Sequence, residues 1–553
     1  MSERRKDLLY CLGLAALTFV AMVATERAIG FTRDESFYFF AADQYTPWYL
    51  GILDALFHGR LLEHFSDANL QRAFWYNTEH PVLMKVLFGL SHRLFTVGLG
   101  WLRPAAGYRA PAWAVSGLVS ALLYLVGKEA AGGRRDAGVL AALLFWLYPH
   151  DFYHGHLACF DMPITGMWLL VVYAYWRGFG SRRWAIFSGV AYGLALATKL
   201  NAFFYPAALL AHWAFSIAPA AWREGRWKAL GRTLPRQWAY MATLGPAIFF
   251  LHWPYLWPHP IERIGSYLGF HANHVNYPWA YLHQLLREPP FPLAYVFVVT
   301  ALTVPLPIFV LMATGTLRAL GRLFGRGERR LDSLHALLLF NGLLPLLLIS
   351  WPTVPHFGGM KHWMPGLPYL CVLAAEALVG VAAFLARWRR HPELEQRVLT
   401  ALSALVLLPA LLGCIHIGGY GESFYNELAG GEAGAATLGM QRQFWSNNVS
   451  GVLDWLNHNA PPNAVVDFHE VTQGSYVAYR EDGMLRPDIR FTTCGGGDTM
   501  PCLRSAGLAA YQYMQEFRDQ EYQIWNAFGT NEPVHAHFLD EAPDITIYRR
   551  PGY

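Results

Sequence analysis

Five short stretches combine carboxylates and cations in a pattern that could carry group-transfer chemistry. "RDESFY" holds Asp34 and Glu35, "EHPVLMK" holds Glu79, His80 and Lys85, "FDMP" opens on Asp161, "ATKLN" holds Lys199, and "MKHW" holds Lys361 and His362. Each lies at the edge of an apolar run, so each acid taken alone reads as a helix-end charge or cap. Taken together they suit a more specific chemistry. A general base would activate an acceptor hydroxyl, and cations would hold a phosphate and stabilise it as it leaves. At the height of a lipid head group, that phosphate would belong to a lipid. Ion transport fits less well, because the ionisable residues gather at one boundary instead of recurring through the apolar segments.

The elements that must position these residues follow from hydropathy. Of 553 residues, 54% are hydrophobic and only 15% charged, a balance that points to a polytopic helical membrane protein. A span takes about 20 residues, and apolar segments near 8–29, 111–127, 137–150, 161–177, 184–198, 200–218, 238–256, 292–318, 333–351, 362–386 and 397–416 predict about eleven transmembrane helices. Basic clusters such as "SERRK", "GKEAAGGRRD", "RGFGSRR" and "RALGRLFGRGERR" fall in every second connection. The positive-inside tendency makes those connections cytoplasmic and turns the five reactive stretches outward. The first apolar segment resembles a signal peptide, but the spans after it favour an uncleaved anchor.

Residues 30–110 form an outer loop too long for a simple connection. "WYLGILDALFHGRLLEHF" and "VLMKVLFGLSHRLFTVGL" have the spacing of helices lying in the membrane interface. The boundaries expected are a transmembrane catalytic region over 1–416 and a C-terminal extracytoplasmic α/β domain over 417–553, where helix, Pro-marked turn and strand patterns replace the long apolar runs. In an outer compartment, Cys494 and Cys502 of "CGGGDTMPC" could pair. The sequon at Asn448 is of a kind frequent by chance. The net charge of +4, without a long Lys/Arg block, gives no indication of a nucleic-acid partner.

In this order and topology, "RDESFY", "EHPVLMK", "FDMP", "ATKLNA" and "GGMKHWMPGLPYL" resemble the landmarks of the glycosyltransferase family 39 and aminoarabinose-transferase-like enzymes, which have the GT-C fold. The resemblance implies transfer of a sugar, with inversion, from a polyprenyl-phosphate donor to a glycan, lipid or protein acceptor on the outer face of a membrane, the inner membrane if the source is bacterial. It makes Asp34 the base, with Glu35 supporting it or orienting the acceptor and Asp161 as a further acid/base candidate. Lys85, Lys199, Lys361 and His362 become candidates to bind the donor phosphate. Glu79 matches a family position that can take part in binding a divalent metal, a site that His80 and His271 or His274 could complete by residue type. "EHPVLMK" departs from the patterns of both protein mannosyltransferases and aminoarabinose transferases, which leaves the sugar open. The alternative is a transporter or flippase of lipid-linked sugars, which would need the phosphate site but no base.

Overall fold

The computed structural model describes residues 2–325, 331–356, 358–493, 499–514 and 518–553. Every one of the eleven apolar segments contains helix. Among the described residues, five helices are long and apolar enough to cross a membrane: Glu3–Ala28, Pro104–Ala130, Leu306–Leu323, Met364–Trp388 and Pro392–Ser423. A sixth span results if Pro149–His156 and Asp161–Gly178, bent by 102° at a short break, are counted as one. Several segments hold helices shorter or more broken than a continuous apolar run implies. For example, the apolar run at 292–318 is split at Pro305 into Tyr295–Thr303 and Leu306–Leu323, because proline removes a helical donor and disfavours helix in the residue before it.

Helices Pro104–Ala130 and Met364–Trp388 are largely buried at the centre of the bundle, whereas the first helix and the last exposed one turn most of their apolar surface outward, as a lipid-facing helix does. The segment after the first helix is built of helices Arg33–Phe57, Leu61–His64, Asp67–Phe74 and Leu83–Ser91, followed by a π-helical stretch, His92–Gly98. Leu53, Phe57, Leu62, Val97 and Trp101 are all exposed there. That apolar face agrees with helices lying in the membrane interface.

Two short strands, β1 (Trp279–Tyr281) and β2 (Gln284–Leu286), form a hairpin. After the last long helix come β3 (Val465–Phe468), β4 (Arg490–Thr492), β5 (Leu508–Gln512), β6 (His535–Leu539) and β7 (Ala542–Arg549), arranged in one sheet of order β4-β3-β5-β7-β6. β3 runs parallel to β4 and β5, and β7 runs antiparallel to β5 and β6. This α/β region shares a continuous apolar core with the ends of the helices: Phe31, Tyr38, Phe88 and Tyr153 pack in one cluster with Val452, Leu456, Val466 and Ile547. Polar ties reinforce the dock. Arg33 pairs with Glu470 and Arg103 with Asp482, and the Phe31 amide donates to the Tyr479 hydroxyl at 2.8 Å. Asn448 is fully buried, donating to Ser423 and Asp544, so its sequon is inaccessible. Cys494, and with it the Cys494–Cys502 pairing, lies outside the described residues.

Candidate active site

Helix Arg33–Phe57 begins at a capping box. The Thr32 hydroxyl accepts from the Glu35 amide (3.1 Å), and the Glu35 carboxylate accepts from the Thr32 amide (3.2 Å), which satisfies two donors that a helix start otherwise leaves open. The same carboxylate accepts two bonds from Arg109, at 2.7 and 2.8 Å, and one from the Ala158 amide at 3.0 Å. Both side chains of the Glu35–Arg109 pair are fully buried. Glu35 thus fixes the start of the helix that bears Asp34 and, through Ala158, the helix break that precedes Asp161. The sequence signal for this was present in "TRDE", which has the Thr-x-x-Glu spacing of a capping box.

Asp34, one residue earlier, faces a cavity of about 330 Å³, within the range of small-molecule sites. Its side chain is 25% exposed and meets the Lys361 ammonium at 3.2 Å. Across the cavity Lys199 and Asp161 pair at 2.6 Å. Asp161 opens the helix after the 102° break, and Lys199 sits in the turn between Arg182–Leu196 and the short helix Leu200–Phe203. Lys361 follows Gly358 and Gly359, whose φ angles of 78° and 60° are in the left-handed region that suits glycine. A Cβ on Gly358 would lie 2.4 Å from the Lys361 Cε, and one on Gly359 would lie 2.9 Å from the Phe444 ring. The glycine pair thus lets the chain bring Lys361 over the Trp445 ring, 3.8 Å from its centroid. Burial opposes the charge on Lys361, but the carboxylates of Asp34 and Asp161 outweigh it and raise its pKa above the ordinary lysine value.

The structure brings nine of the eleven expected residues to the cavity: Asp34, Glu79, His80, Asp161, Lys199, His271, His274, Lys361 and His362 all line it. Glu35 does not, for the reason above, and neither does Lys85. Lys85 is fully buried, donates to the carbonyl oxygens of Asn77 and His80, and lies over the Tyr45 ring. It ties down the segment that presents Glu79 and His80.

The proposed metal set does not assemble. Among the described residues, no three His, Cys, Asp or Glu side chains converge as a metal ion requires. Instead, His271 Nε2 is 2.9 Å from the Glu79 carbonyl oxygen, and Asn77 donates to the Glu79 carboxylate at 2.8 Å. Burial pushes His80 well below the ordinary histidine pKa and His271 down to about 4, which leaves both neutral near pH 7. One wall of the cavity escaped the sequence reading altogether. Gln441, Phe444, Trp445 and Met514 come from the α/β region, and none carries a charge or a spacing that marks it as part of a site.

Residues 79–253 match the dolichyl-phosphate-mannose-protein mannosyltransferase family, and this stretch includes Glu79, Asp161 and Lys199. No curated protein matches the chain by sequence. Among solved structures, ArnT from Cupriavidus metallidurans bound to undecaprenyl phosphate aligns with a TM-score of 0.52 at 14% identity, over 99% of this chain and 98% of that one. The apo state of the same protein aligns with a TM-score of 0.51 at 13% identity, over the same shares. The likeness therefore extends through the bundle and the C-terminal α/β region together. The chain is an integral membrane protein with the fold of ArnT, the GT-C fold, and over residues 79–253 it is similar to the dolichyl-phosphate-mannose-protein mannosyltransferase family.

Proposed function

We propose that the chain is an inverting glycosyltransferase that moves a sugar from a polyprenyl-phosphate donor to an acceptor hydroxyl or amine, in the cavity between the helix ends and the α/β region. The single observation that carries this reading is the pair of aspartate–lysine contacts facing one cavity: a carboxylate with open access beside cations that can receive a phosphate. The relationship to ArnT, one of whose structures holds undecaprenyl phosphate, supports a donor of that class.

In this mechanism the acceptor oxygen or nitrogen attacks the anomeric carbon from the Asp34 side, and Asp34 takes its proton. The bond from the anomeric carbon to the phosphate oxygen breaks, and the phosphate leaves with the electron pair. Lys199 and Lys361 stabilise that charge as ammonium groups in a partly dry site, where a charge interaction is stronger than in water. Asp161 holds Lys199 in place until the phosphate competes for it. Trp445 and Trp279 give the sugar apolar faces to lie against. The cavity opens to the outer side of the membrane, following the charge alternation of the connections.

The test is to reconstitute the full chain with a panel of labelled polyprenyl-phosphate sugars and membrane acceptors. Label leaving the lipid is the expected result. Label that crosses the bilayer still attached to its lipid would make the protein a carrier and sink the transferase reading.

A further inference from the structure

A second cavity, of about 180 Å³, lies toward the opposite end of the bundle. Helix Leu306–Leu323 starts near the cavity end of the molecule and places Arg318 and Arg322 one turn apart at its far end, a spacing that puts both on one helix face. Both line this second cavity. The fold makes room for them. A Cβ on Gly315 would lie 2.3 Å from the Leu373 carbonyl oxygen, and one on Gly380 would lie 3.1 Å from an Arg318 guanidinium nitrogen, so these glycines allow close helix approach and leave space for the guanidinium.

The other charged groups at this cavity are already committed. Arg134 pairs with Asp136 at 2.6 Å and also with Glu395. His335 holds Glu376 at 2.8 Å and contacts Asp332 at 2.6 Å. Among the described residues Arg318 and Arg322 form no salt bridge, although Arg322 acts electrostatically on the Asp332 carboxylate, so the cavity presents two guanidinium groups beside an acid, Glu376, that is neutralised by its own histidine. Its floor is apolar, formed by Leu331, Leu373 and Val379. Outside it the apolar surface continues with Leu317 on the same helix and Phe324 just past its end, which are 67% and 85% exposed.

We propose that this cavity binds the phosphate of an anionic membrane lipid, with Arg318 and Arg322 contacting the phosphate oxygens and the acyl chains lying along the exposed Leu317 and Phe324 face. Guanidinium groups suit phosphate oxygens through their paired donors, and basic pockets between membrane helices near a bilayer surface are suited to such head groups. The site is separate from the outer cavity, so the proposal stands whether or not the transferase reading holds.

The experiment uses the purified full chain in detergent, titrated with phosphatidylglycerol, phosphatidylcholine or inorganic phosphate, with bound lipid read by native mass spectrometry. Wild type is expected to favour phosphatidylglycerol over phosphatidylcholine. Replacing both arginines (Arg318→Gln with Arg322→Gln) should weaken phosphatidylglycerol binding about thirtyfold, while Arg318→Lys with Arg322→Lys retains part of it. Equal melting temperatures of the three proteins without added anion would confirm that the fold is intact. Equal binding of the two lipids by wild type, or wild-type affinity in the double glutamine variant, would overturn the proposal. Inorganic phosphate binding more tightly than the lipid, and lost in the same variant, would overturn the lipid as occupant.

Discussion

Asp34 and Glu35 are adjacent in the chain and opposite in circumstance. Glu35 is fully buried and its two oxygens accept from a guanidinium and from main-chain and hydroxyl donors. Asp34 has one ammonium contact, at 3.2 Å, and an open side facing the cavity. A carboxylate whose lone pairs are all taken holds structure, because accepting another proton would break bonds already made. A carboxylate with lone pairs to spare at a cavity wall can accept a proton from a substrate. Composition at a helix start does not separate these two cases, but the donor count does.

The largest effect on folding should come from breaking the saturated pair. Glu35→Ala leaves the buried Arg109 charge with only the more distant Glu26 carboxylate, at 3.8 Å, and breaking a buried pair typically costs about 3–5 kcal/mol. Denaturation in detergent should show that loss. Replacing both residues by apolar ones of similar volume should cost less than either single change, and an equal or larger loss in the double variant would show that the pair does more than hold two helices together.

A third acid sharpens the contrast, because it is buried without a cation. Asp467 on β3 has one carboxylate oxygen without a hydrogen-bond partner, and burial together with the neighbouring Glu470 raises its pKa to about 7. Glu470 itself is committed to Arg33. A folded-state pKa above the unfolded value means that the native state binds the proton more tightly. Its contribution to stability is therefore complete below about pH 4 and is lost as pH rises toward 7, by about 2–4 kcal/mol in all. Unfolding measured from pH 4 to 8 should show that slope in wild type and a flatter one in Asp467→Asn. An unchanged slope in the variant would assign the effect to another group.

The smaller effects lie around Lys361 and Lys199. Lys199→Ala leaves Asp161 without its salt-bridge partner and should weaken donor binding by roughly tenfold or more, read as a rise in the donor concentration needed for half-maximal turnover. Gly358→Ala combines a left-handed backbone with a Cβ that collides with the Lys361 side chain, and should cost about 1 kcal/mol of stability with a modest fall in turnover. A Gly358→Ala protein with full turnover would mean that the position of Lys361 is not critical.

The sequence supplied the residues that meet at the cavity more readily than their partners. Asp34, Asp161, Lys199 and Lys361 could be found because each sits where an apolar segment ends, and alternating basic connections place those ends on one side. The commitment of Glu35 to Arg109 spans 74 positions, so no local pattern announces the arginine, although the Thr32–Glu35 spacing announces a cap. Lys85 lies off the cavity because tertiary packing turns it toward two carbonyl oxygens, which no local pattern announces. Hydropathy placed the helical segments but does not register the helix break at Pro305 or the bend before Asp161. The aromatic wall of Phe444 and Trp445 depends on how the α/β region docks, which hydropathy does not record.

The most direct measurement compares Asp34→Asn with Glu35→Gln, in turnover of the labelled donor and in melting temperature, on the same reconstituted preparations. Asp34→Asn is expected to lose about 10²–10⁴-fold in turnover, the range for a general base, while binding donor and melting as wild type does. Glu35→Gln should instead lower the melting temperature and reduce turnover only in proportion to the folded fraction. If Asp34→Asn turned over donor at the wild-type rate, or Glu35→Gln lost turnover with its stability intact, the assignment of these two neighbours would be reversed and the central claim would fail.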